Sequence, residues 1–193
     1  MTEAGSGKRR AVFLDRDGTL NVDFGYVGDP ERVVIVPGAV EGAAMLTAAG
    51  FLLIVASNQS GIARGYFTQV DCDAVAAKVK AMFAAEGVEL AAFYQCPHLP
   101  DAAVAQLAVS CDCRKPKPGM LVRAAKEWNV DLARSWTVGD RARDIAAGHA
   151  VGCRGVAIQP VPSLQQPEDF RRARPEYVAR DLVDAARFII ERP

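Results

Sequence analysis

Short apolar runs that each end abruptly in a polar turn recur along the chain, and they constrain its fold more than any other feature. The first run, residues 11–14, is followed at once by Asp15-Arg16-Asp17-Gly18-Thr19. The later apolar runs and the helical segments between them alternate in the order 38–49, 51–56, 68–86, 90–95, 119–129, 135–138, 142–150, 155–158, 177–179 and 182–191. Strands that alternate with helices predict an α/β fold with a doubly wound, mostly parallel sheet.

Length and charge narrow the class of protein. The chain has 193 residues, of which half are apolar and 24% are charged, and this suffices for one domain with a full hydrophobic core. Lys plus Arg and Asp plus Glu both number 23, so the chain offers no general electrostatic footprint for nucleic acid or an anionic membrane. We expect a flexible segment over residues 1–10 and a single domain over residues 11–193.

The start of the chain and the cysteine content indicate a compartment. Residues 1–10 are polar and basic without the apolar core of a signal peptide, and no apolar run reaches the length that crosses a bilayer. We therefore expect a cytoplasmic protein, a monomer whose partner is a small molecule. In the cytoplasm the five cysteines are expected to be metal ligands or plain thiols rather than disulfides.

Carboxylates follow two of the predicted strands. Asp15 and Asp17 end the first strand, and Asp140 follows the fourth, at the strand ends where open α/β sheets bind ligands. One carboxylate of a pair can hold Mg²⁺ and attack an electrophile while the other transfers protons. The polar turn at 57–61 suits an anion, and Lys115 adds a cation after the third strand. Phosphoryl transfer requires this set of groups.

A cysteine-rich loop over residues 96–113 carries a second pattern. Cys96 and His98 are followed, after twelve residues, by Cys111 and Cys113. Three thiolates and one imidazole predict a four-coordinate structural zinc site with no open position for chemistry. The alternative is two thiol pairs and a histidine without metal. Zinc would fix the direction of the cations that follow directly, Arg114 and Lys115, and a guanidinium held in this way suits bidentate contact with an anionic group.

Four motifs resemble those of the haloacid dehalogenase (HAD) superfamily of phosphatases and stand in that family's order. They are Asp15-Arg16-Asp17-Gly18-Thr19, Ser57-Asn58, Lys115, and Gly139-Asp140 with Asp144. The resemblance covers residues 11–158 and implies a Rossmann-like HAD sheet with a zinc-binding loop. No long insertion follows the first motif or separates the second from the third beyond the zinc loop, so a large cap domain is not expected.

The resemblance implies which residues catalyse the reaction. Asp15 would attack phosphorus and become an aspartyl-phosphate. Asp17 would protonate the leaving oxygen and then deprotonate the water that hydrolyses the intermediate. Ser57 and Lys115 would stabilise the transferring phosphoryl group.

The same resemblance implies a magnesium site. Asp15, Asp17 through its backbone carbonyl, and Asp140 would be the protein ligands of Mg²⁺, with water and phosphate completing the octahedron. Asp144 would orient this site rather than bind the metal.

The cysteine motif followed by Arg114-Lys115-Pro116 is similar to a small-capped branch of the superfamily. That branch holds D-glycero-D-manno-heptose 1,7-bisphosphate 7-phosphatases and histidinol-phosphate phosphatases. The loops at 21–27 and 57–65 resemble those of the heptose enzymes. The segment 139–144 looks like the histidinol-phosphate version, because Arg141 stands where the heptose enzymes often carry Lys. The implied substrate contacts are Asp23, Phe24, Gly25, Tyr26, Ser57, Asn58, Gln59, Ser60, Arg114, Lys115 and Arg141.

These motifs predict a Mg-dependent phosphatase acting on the 7-phosphate of the heptose bisphosphate, in nucleotide-activated heptose biosynthesis. Histidinol-phosphate phosphatase is the alternative. A non-catalytic phosphate-binding protein is a further alternative, although both Asp15 and Asp17 are present. A DNA 3′-phosphatase is disfavoured by the zero net charge and the lack of an aromatic and basic stripe.

Overall fold

Six parallel strands form one open sheet with the spatial order β3-β2-β1-β4-β5-β6. The computed structural model describes residues 7–159 and 167–192. The strands are β1 (Ala11–Leu14), β2 (Leu52–Asn58), β3 (Ala92–Cys96), β4 (Trp136–Gly139), β5 (Arg154–Ile158) and β6 (Tyr177–Ala179). The predicted doubly wound parallel sheet is confirmed.

Helices connect the strands. They are α1 (Ala39–Ala48), α2 (Ser60–Ala63), α3 (Gln69–Ala85), α4 (Gly119–Trp128), α5 (Ala142–His149), α6 (Pro167–Ala173) and α7 (Leu182–Ile190), with short 3₁₀ helices at Pro30–Arg32, Ala105–Leu107 and Leu132–Arg134. The start of α3 is fixed by a capping box, because the Thr68 hydroxyl accepts from the Asp71 amide and the Asp71 carboxylate accepts from the Thr68 amide. Among the described residues no helix combines the length and the apolar character needed to cross a membrane.

Successive residues of β1 pack on opposite faces of the sheet. Val12 and Leu14 belong to the core that includes buried residues of α1, α3 and α7, whereas Ala11 and Phe13 belong to the core that includes α4. A smaller core around Phe170 joins α5 and α6. Burial on both faces explains why the strands read as continuous apolar runs rather than as an alternation.

Near the site, the end of β2 and the start of α2 differ from the sequence-based expectation. β2 continues through Ser57 and Asn58, which lie in register with Gln95 and Cys96 of β3. The segment expected to be a polar turn is therefore part strand and, from Ser60, part helix α2. Sheet pairing extends the strand into polar residues because backbone hydrogen bonds do not depend on side-chain polarity.

Arg9 and Arg10 precede the expected domain boundary at residue 11, yet both contact the rest of the fold. The Arg9 amide donates to Asn129 O, and Arg9 O accepts from the Asp131 amide, both at 2.8 Å. The Arg10 guanidinium lies 4.5 Å from the centre of the Phe51 ring. Residues 1–6, and with them most of the segment expected to be flexible, lie outside the described residues.

Candidate active site

The carboxyl ends of the central strands meet at one cavity. β1 lies between β2 and β4, so the residues that follow these three strands are neighbours, and the Asp15 amide donates to Val138 O of β4 at 2.9 Å. The cavity has a volume of about 310 Å³. Its lining holds every predicted catalytic, substrate and magnesium residue except Phe24 and Lys115. It also holds Gly61, Arg64 and Arg143, to which the sequence had assigned no role.

Lys115 lies beneath the cavity floor between two carboxylates. Its Nζ is 3.1 Å from Asp15 Oδ1 and 2.6 Å from Asp144 Oδ1, and it donates to Ala56 O at 2.6 Å. Lys115 is only 4% exposed and Asp15 5%. Burial disfavours the charged forms of both Lys115 and Asp15. The negative charges of Asp144 and Asp15 nevertheless raise the pKa of Lys115 above its usual value, and the Lys115 ammonium lowers the pKa of Asp15 below the usual value of an aspartate. The floor of the site therefore presents an ionised carboxylate beside a fixed cation.

Asp140 is the third carboxylate of the site. Burial, followed by repulsion from Asp15 and Asp144, raises the pKa of Asp140 to about 7. Carboxylate oxygens of these three residues lie within 4.8 Å of one another, and Asp140 Oδ1 is buried without a hydrogen-bond partner among the described residues. Hard oxygen ligands that repel one another and leave an oxygen unpaired fit Mg²⁺, which would hold Asp140 ionised.

Asp144 is committed to other groups of the protein. Besides Lys115, its carboxylate accepts a hydrogen bond at 3.0 Å from the Arg141 amide. A Cβ at Gly139 would overlap the Asp144 carboxylate, so the glycine lets this acid approach the strand end. These contacts suit the orienting role predicted for Asp144.

A buried network holds the Asp17 carboxylate. Arg16 donates from Nε to Asp17 Oδ1 at 3.1 Å and from Nη2 to Oδ2 at 2.9 Å. Asn21 Nδ2 donates to Asp17 Oδ1 at 2.9 Å, and Gln59 Nε2 donates to Oδ2 at 2.8 Å and to Ser57 Oγ at 2.9 Å. Gln59 is 3% exposed and links the predicted proton donor to the predicted phosphate clamp. It also lines the cavity, so its contact with substrate stays a prediction.

Arg16 is a member of this network that sequence reasoning missed. It is 1% exposed and also donates to Gln59 Oε1 at 3.0 Å and to Val27 O at 3.2 Å. The signal was its position between two acids at the end of a buried strand, because a buried guanidinium requires acceptors on all sides.

Asn58 fixes the loop that carries Lys115. Its Nδ2 donates to Lys115 O, and its Oδ1 accepts from the Lys115 amide, both at 3.0 Å. The end of β2 is thereby tied to the backbone of the cation that faces Asp15. Asn58 also lines the cavity, so its direct contact with substrate stays a prediction.

The rim of the cavity is basic. Arg141 lies 3.1 Å from Asp140 and 3.6 Å from Asp23, and Arg114 donates to His98 O at 3.2 Å. Burial lowers the pKa of Arg114, and the nearby charge of Arg143 lowers it further, so the rim concentrates positive charge.

Aromatic residues complete one side of the rim. The Tyr26 and Tyr66 rings meet edge to face at 4.9 Å, and the Arg64 guanidinium lies 5.7 Å from the Tyr26 ring centre. The structure places Phe24 outside the cavity lining with its side chain half exposed.

The predicted zinc ligands converge at the base of the loop after β3. Cys113 Sγ lies 3.1 Å from Cys96 Sγ and 3.2 Å from Cys111 Sγ, and His98 Nδ1 lies 3.3 Å from Cys113 Sγ. These separations exceed a disulfide bond of about 2.05 Å and approach the roughly 3.8 Å between sulfurs that share a tetrahedral zinc ion. The cluster therefore suits a structural zinc site.

A parallel sheet with a buried aspartate after β1, a cation beneath it and a carboxylate after β4 defines the class of HAD-like hydrolases. Residues 112–185 match the family model described as HAD-hydrolase-like. A solved D,D-heptose 1,7-bisphosphate phosphatase from B. bronchiseptica, complexed with magnesium and phosphate, aligns with a TM-score of 0.78 at 33% identity over 95% of this chain and 99% of that one.

Two curated relatives from different organisms carry the same name. The D-glycero-beta-D-manno-heptose-1,7-bisphosphate 7-phosphatase of Pasteurella multocida is 37% identical over 181 residues, or 94% of this chain and 97% of the relative. Its namesake from Yersinia pestis is 44% identical over 140 residues, or 72% of this chain and 74% of the relative. The chain belongs to this family of HAD-like phosphatases, which confirms the resemblance noted in the sequence.

Proposed function

We propose that the chain is a Mg-dependent phosphatase that removes the 7-phosphate from D-glycero-D-manno-heptose 1,7-bisphosphate. The observation that carries the reaction type is the buried Asp15 carboxylate, 3.1 Å from Lys115 Nζ and within 4.8 Å of Asp140. An ionised carboxylate at a strand end has this environment when it serves as a nucleophile toward phosphorus. The substrate is inferred from the names of the relatives.

In the first step an Asp15 oxygen attacks the phosphorus of the 7-phosphate. The bond from phosphorus to the sugar oxygen breaks, and Asp17 gives its proton to that oxygen. In the second step water attacks the aspartyl-phosphate, its proton goes to Asp17, and the bond between phosphorus and Asp15 breaks. Both residues then return to their starting forms.

Lys115 and Ser57 act on the charge of the transferring group. Lys115 Nζ is held by three oxygens, so its position requires no reorganisation as the phosphoryl group moves onto Asp15. Asp15, the Asp17 carbonyl and Asp140 would hold Mg²⁺, whose positive charge would screen the repulsion between carboxylate and phosphate.

The basic rim suits a substrate with two phosphates. Arg114 offers its guanidinium from the zinc loop, and Arg141 stands between Asp140 and Asp23. With one phosphate on the floor, the other reaches these side chains, as planar guanidinium groups favour phosphate oxygens. A histidinol-phosphate phosphatase is the second candidate, favoured by Arg141 in the segment 139–144.

Phosphate release with Mg²⁺ tests the substrate. We expect kcat/KM for the heptose bisphosphate, supplied as both anomers, to exceed that for histidinol phosphate by at least about a hundredfold, because the second phosphate adds charge-assisted contacts. The names of the relatives specify the β anomer, and we propose the same preference. A preference for histidinol phosphate would replace this substrate, and no release from either would favour a phosphate-binding protein.

Asp15→Asn tests the nucleophile. The amide keeps the shape of the side chain but cannot form the aspartyl-phosphate, so we expect kcat to fall by at least about a thousandfold. The matched control is Asp101→Asn, an exposed acid of the loop after β3, which should retain wild-type kcat. Circular dichroism checks that both variants fold. Substantial turnover by a folded Asp15→Asn protein would contradict catalysis through Asp15.

We further propose a cytoplasmic monomer. The five cysteines are free thiols, and three of them lie in the zinc cluster, which suits a reducing compartment. Size-exclusion chromatography with light scattering tests the monomer, and a mass of twice 20.7 kDa would replace it with a dimer.

A further inference from the structure

Four arginines line the cavity, and three of them already contact groups of the protein. Arg64 lies over the Tyr26 ring, Arg114 donates to His98 O, and Arg141 pairs with Asp140 and Asp23. The Arg143 side chain makes no hydrogen bond or ion pair with any residue in the described parts of the chain. A guanidinium in a cavity with all its donors available is free to bind an anionic ligand.

Arg143 differs in exposure from the residues on the floor of the site. Asp15 and Lys115 are almost fully buried, and Lys115 already opposes the charge of a phosphate on Asp15. Arg143 is exposed and lies in the first turn of α5. It therefore stands at the rim, where the part of a substrate that projects from the floor would lie.

Arg143 and Arg114 are close enough to repel each other. Both side chains line the same cavity. Two like charges at a rim are unfavourable on their own and become favourable when a dianion lies between them. The neighbouring carboxylates form their ion pairs with other cations, Asp140 with Arg141 and Asp144 with Lys115.

We propose that Arg143 determines specificity by binding, with Arg114, the non-reacting phosphate of a sugar bisphosphate. This inference rests on the proposed function and adds to it a residue that recognises the second phosphate. Arg143 binds this group and takes no part in the transfer to Asp15.

The test compares two substrates that differ only in the second phosphate, D-glycero-D-manno-heptose 1,7-bisphosphate and D-glycero-D-manno-heptose 7-phosphate. For Arg143→Ala we expect kcat/KM to fall about tenfold on the bisphosphate, mainly through KM, and less than twofold on the monophosphate. Arg143→Lys should give an intermediate loss, because lysine keeps the charge without the planar pair of donors. The matched control is Arg172→Ala, an exposed arginine of α6, which should change neither.

Product inhibition gives a second readout. D-glycero-D-manno-heptose 1-phosphate keeps only the non-reacting phosphate, and inorganic phosphate represents the reacting one. In Arg143→Ala the inhibition constant of the sugar 1-phosphate should rise about tenfold, while that of inorganic phosphate stays within twofold. Arg143→Lys should again lie between.

The outcomes separate this inference from the proposed function. Equal losses on both substrates, or a matching rise in the inhibition constant of inorganic phosphate, would mean that Arg143 serves the reacting phosphate and would overturn the inference. Unchanged kinetics on the bisphosphate would also overturn it. Failure of the wild-type protein to release phosphate from either sugar would overturn the proposed function, and this inference with it.

Discussion

Gly18 controls how closely the first acidic loop approaches the carboxylate after β4. Its φ is +81°, in the left-handed region, and a Cβ built there would lie 2.5 Å from Asp140 Oδ2. A side chain at this position would strain the backbone and push away a predicted magnesium ligand. The glycine therefore permits the loop geometry and the close approach of Asp140 at the same time.

Gly18→Ala should lower activity more than it lowers stability. We expect kcat/KM to fall at least about tenfold, since displacement of a metal ligand by a fraction of an ångström misplaces the reacting groups, and the Mg²⁺ concentration for half-maximal activity should rise. The cost in unfolding free energy should be about 1–2 kcal/mol. Phosphate release at varied Mg²⁺, beside thermal unfolding, measures both effects.

Gly87→Ala is the control for backbone strain. Gly87 follows α3 with φ +76° and has no atom within 4 Å of a Cβ built on it. This variant should show a similar loss of stability with unchanged kinetics. If Gly18→Ala kept wild-type activity and Mg²⁺ dependence, the close approach to Asp140 would have no catalytic importance.

For single residues, the sequence predicted which side chains form the site better than it predicted what those side chains contact. Asp15 and Asp140 could be found because a charge directly after a buried strand has few explanations, and Lys115 because it follows the predicted zinc ligands. The structure places the three residues together. Gln59 and Arg143 could not be judged, because their environment depends on packing between segments far apart in the chain. Both residues line the cavity, but the Gln59 amide also donates a hydrogen bond to Asp17, whereas the Arg143 side chain is exposed.

The zinc loop is the element that connects β3 to the catalytic cation. Cys113 lies two residues before Lys115, and Asn58 of β2 holds the Lys115 backbone from the other side. The loop after β3 contains only a 3₁₀ turn as regular structure before α4, so metal ligation by the cysteine and histidine cluster would replace the secondary structure that could fix it. Zinc bound there would help to hold Lys115 in position.

Cys113→Ser should remove zinc and weaken catalysis together. Wild-type protein should contain about one equivalent of zinc, and the variant well under half of that, since serine is a poor ligand. We expect kcat to fall at least about tenfold because Lys115 is no longer held, with a lower melting temperature. Metal analysis and phosphate release on the same samples measure both.

Cys153→Ala is the matched control for the loss of a thiol. Cys153 is buried, 3% exposed, and lies outside the zinc cluster. This variant should keep its zinc and its kcat at a small cost in stability. Full activity of Cys113→Ser without zinc would show that the loop holds Lys115 unaided.

The elements themselves were largely predictable from apolar periodicity and helix caps. The sequence did not predict α6 because the segment begins among prolines and its one buried anchor in the described part, Phe170, depends on contact with α5. It also ended β2 too early, because hydrogen bonds to β3 rather than apolar residues extend that strand.

For the molecule as a whole, packing between α1 and α7 connects the part of the sheet beyond β4 with the part that contains β1. α7 follows β6 at the edge of the sheet and packs against α1, which follows the acidic loop after β1. Gly42 in α1 allows the contact, because a Cβ there would lie 2.5 Å from the Leu182 backbone carbonyl. α1 and α7 are therefore held together by a backbone approach that only a glycine permits.

Gly42→Ala sets two effects of opposite sign against each other. Alanine stabilises a helix interior by about 1 kcal/mol relative to glycine, but here its methyl group would force α1 and α7 apart, and overpacking costs about 1–3 kcal/mol or more. Since the contact is with backbone atoms that cannot rotate away, we expect the overpacking to prevail and the melting temperature to fall by about 3–6 °C.

Ala44→Gly, at an exposed position of the same helix, is the control that measures the difference in helix propensity between alanine and glycine by itself. Thermal unfolding should show lowered stability for Gly42→Ala. Phosphate release should give a kcat/KM within threefold of wild type, because neither Gly42 nor Leu182 lines the cavity. A raised melting temperature would mean that α7 moves freely on α1 and that the close approach does not hold the two halves together.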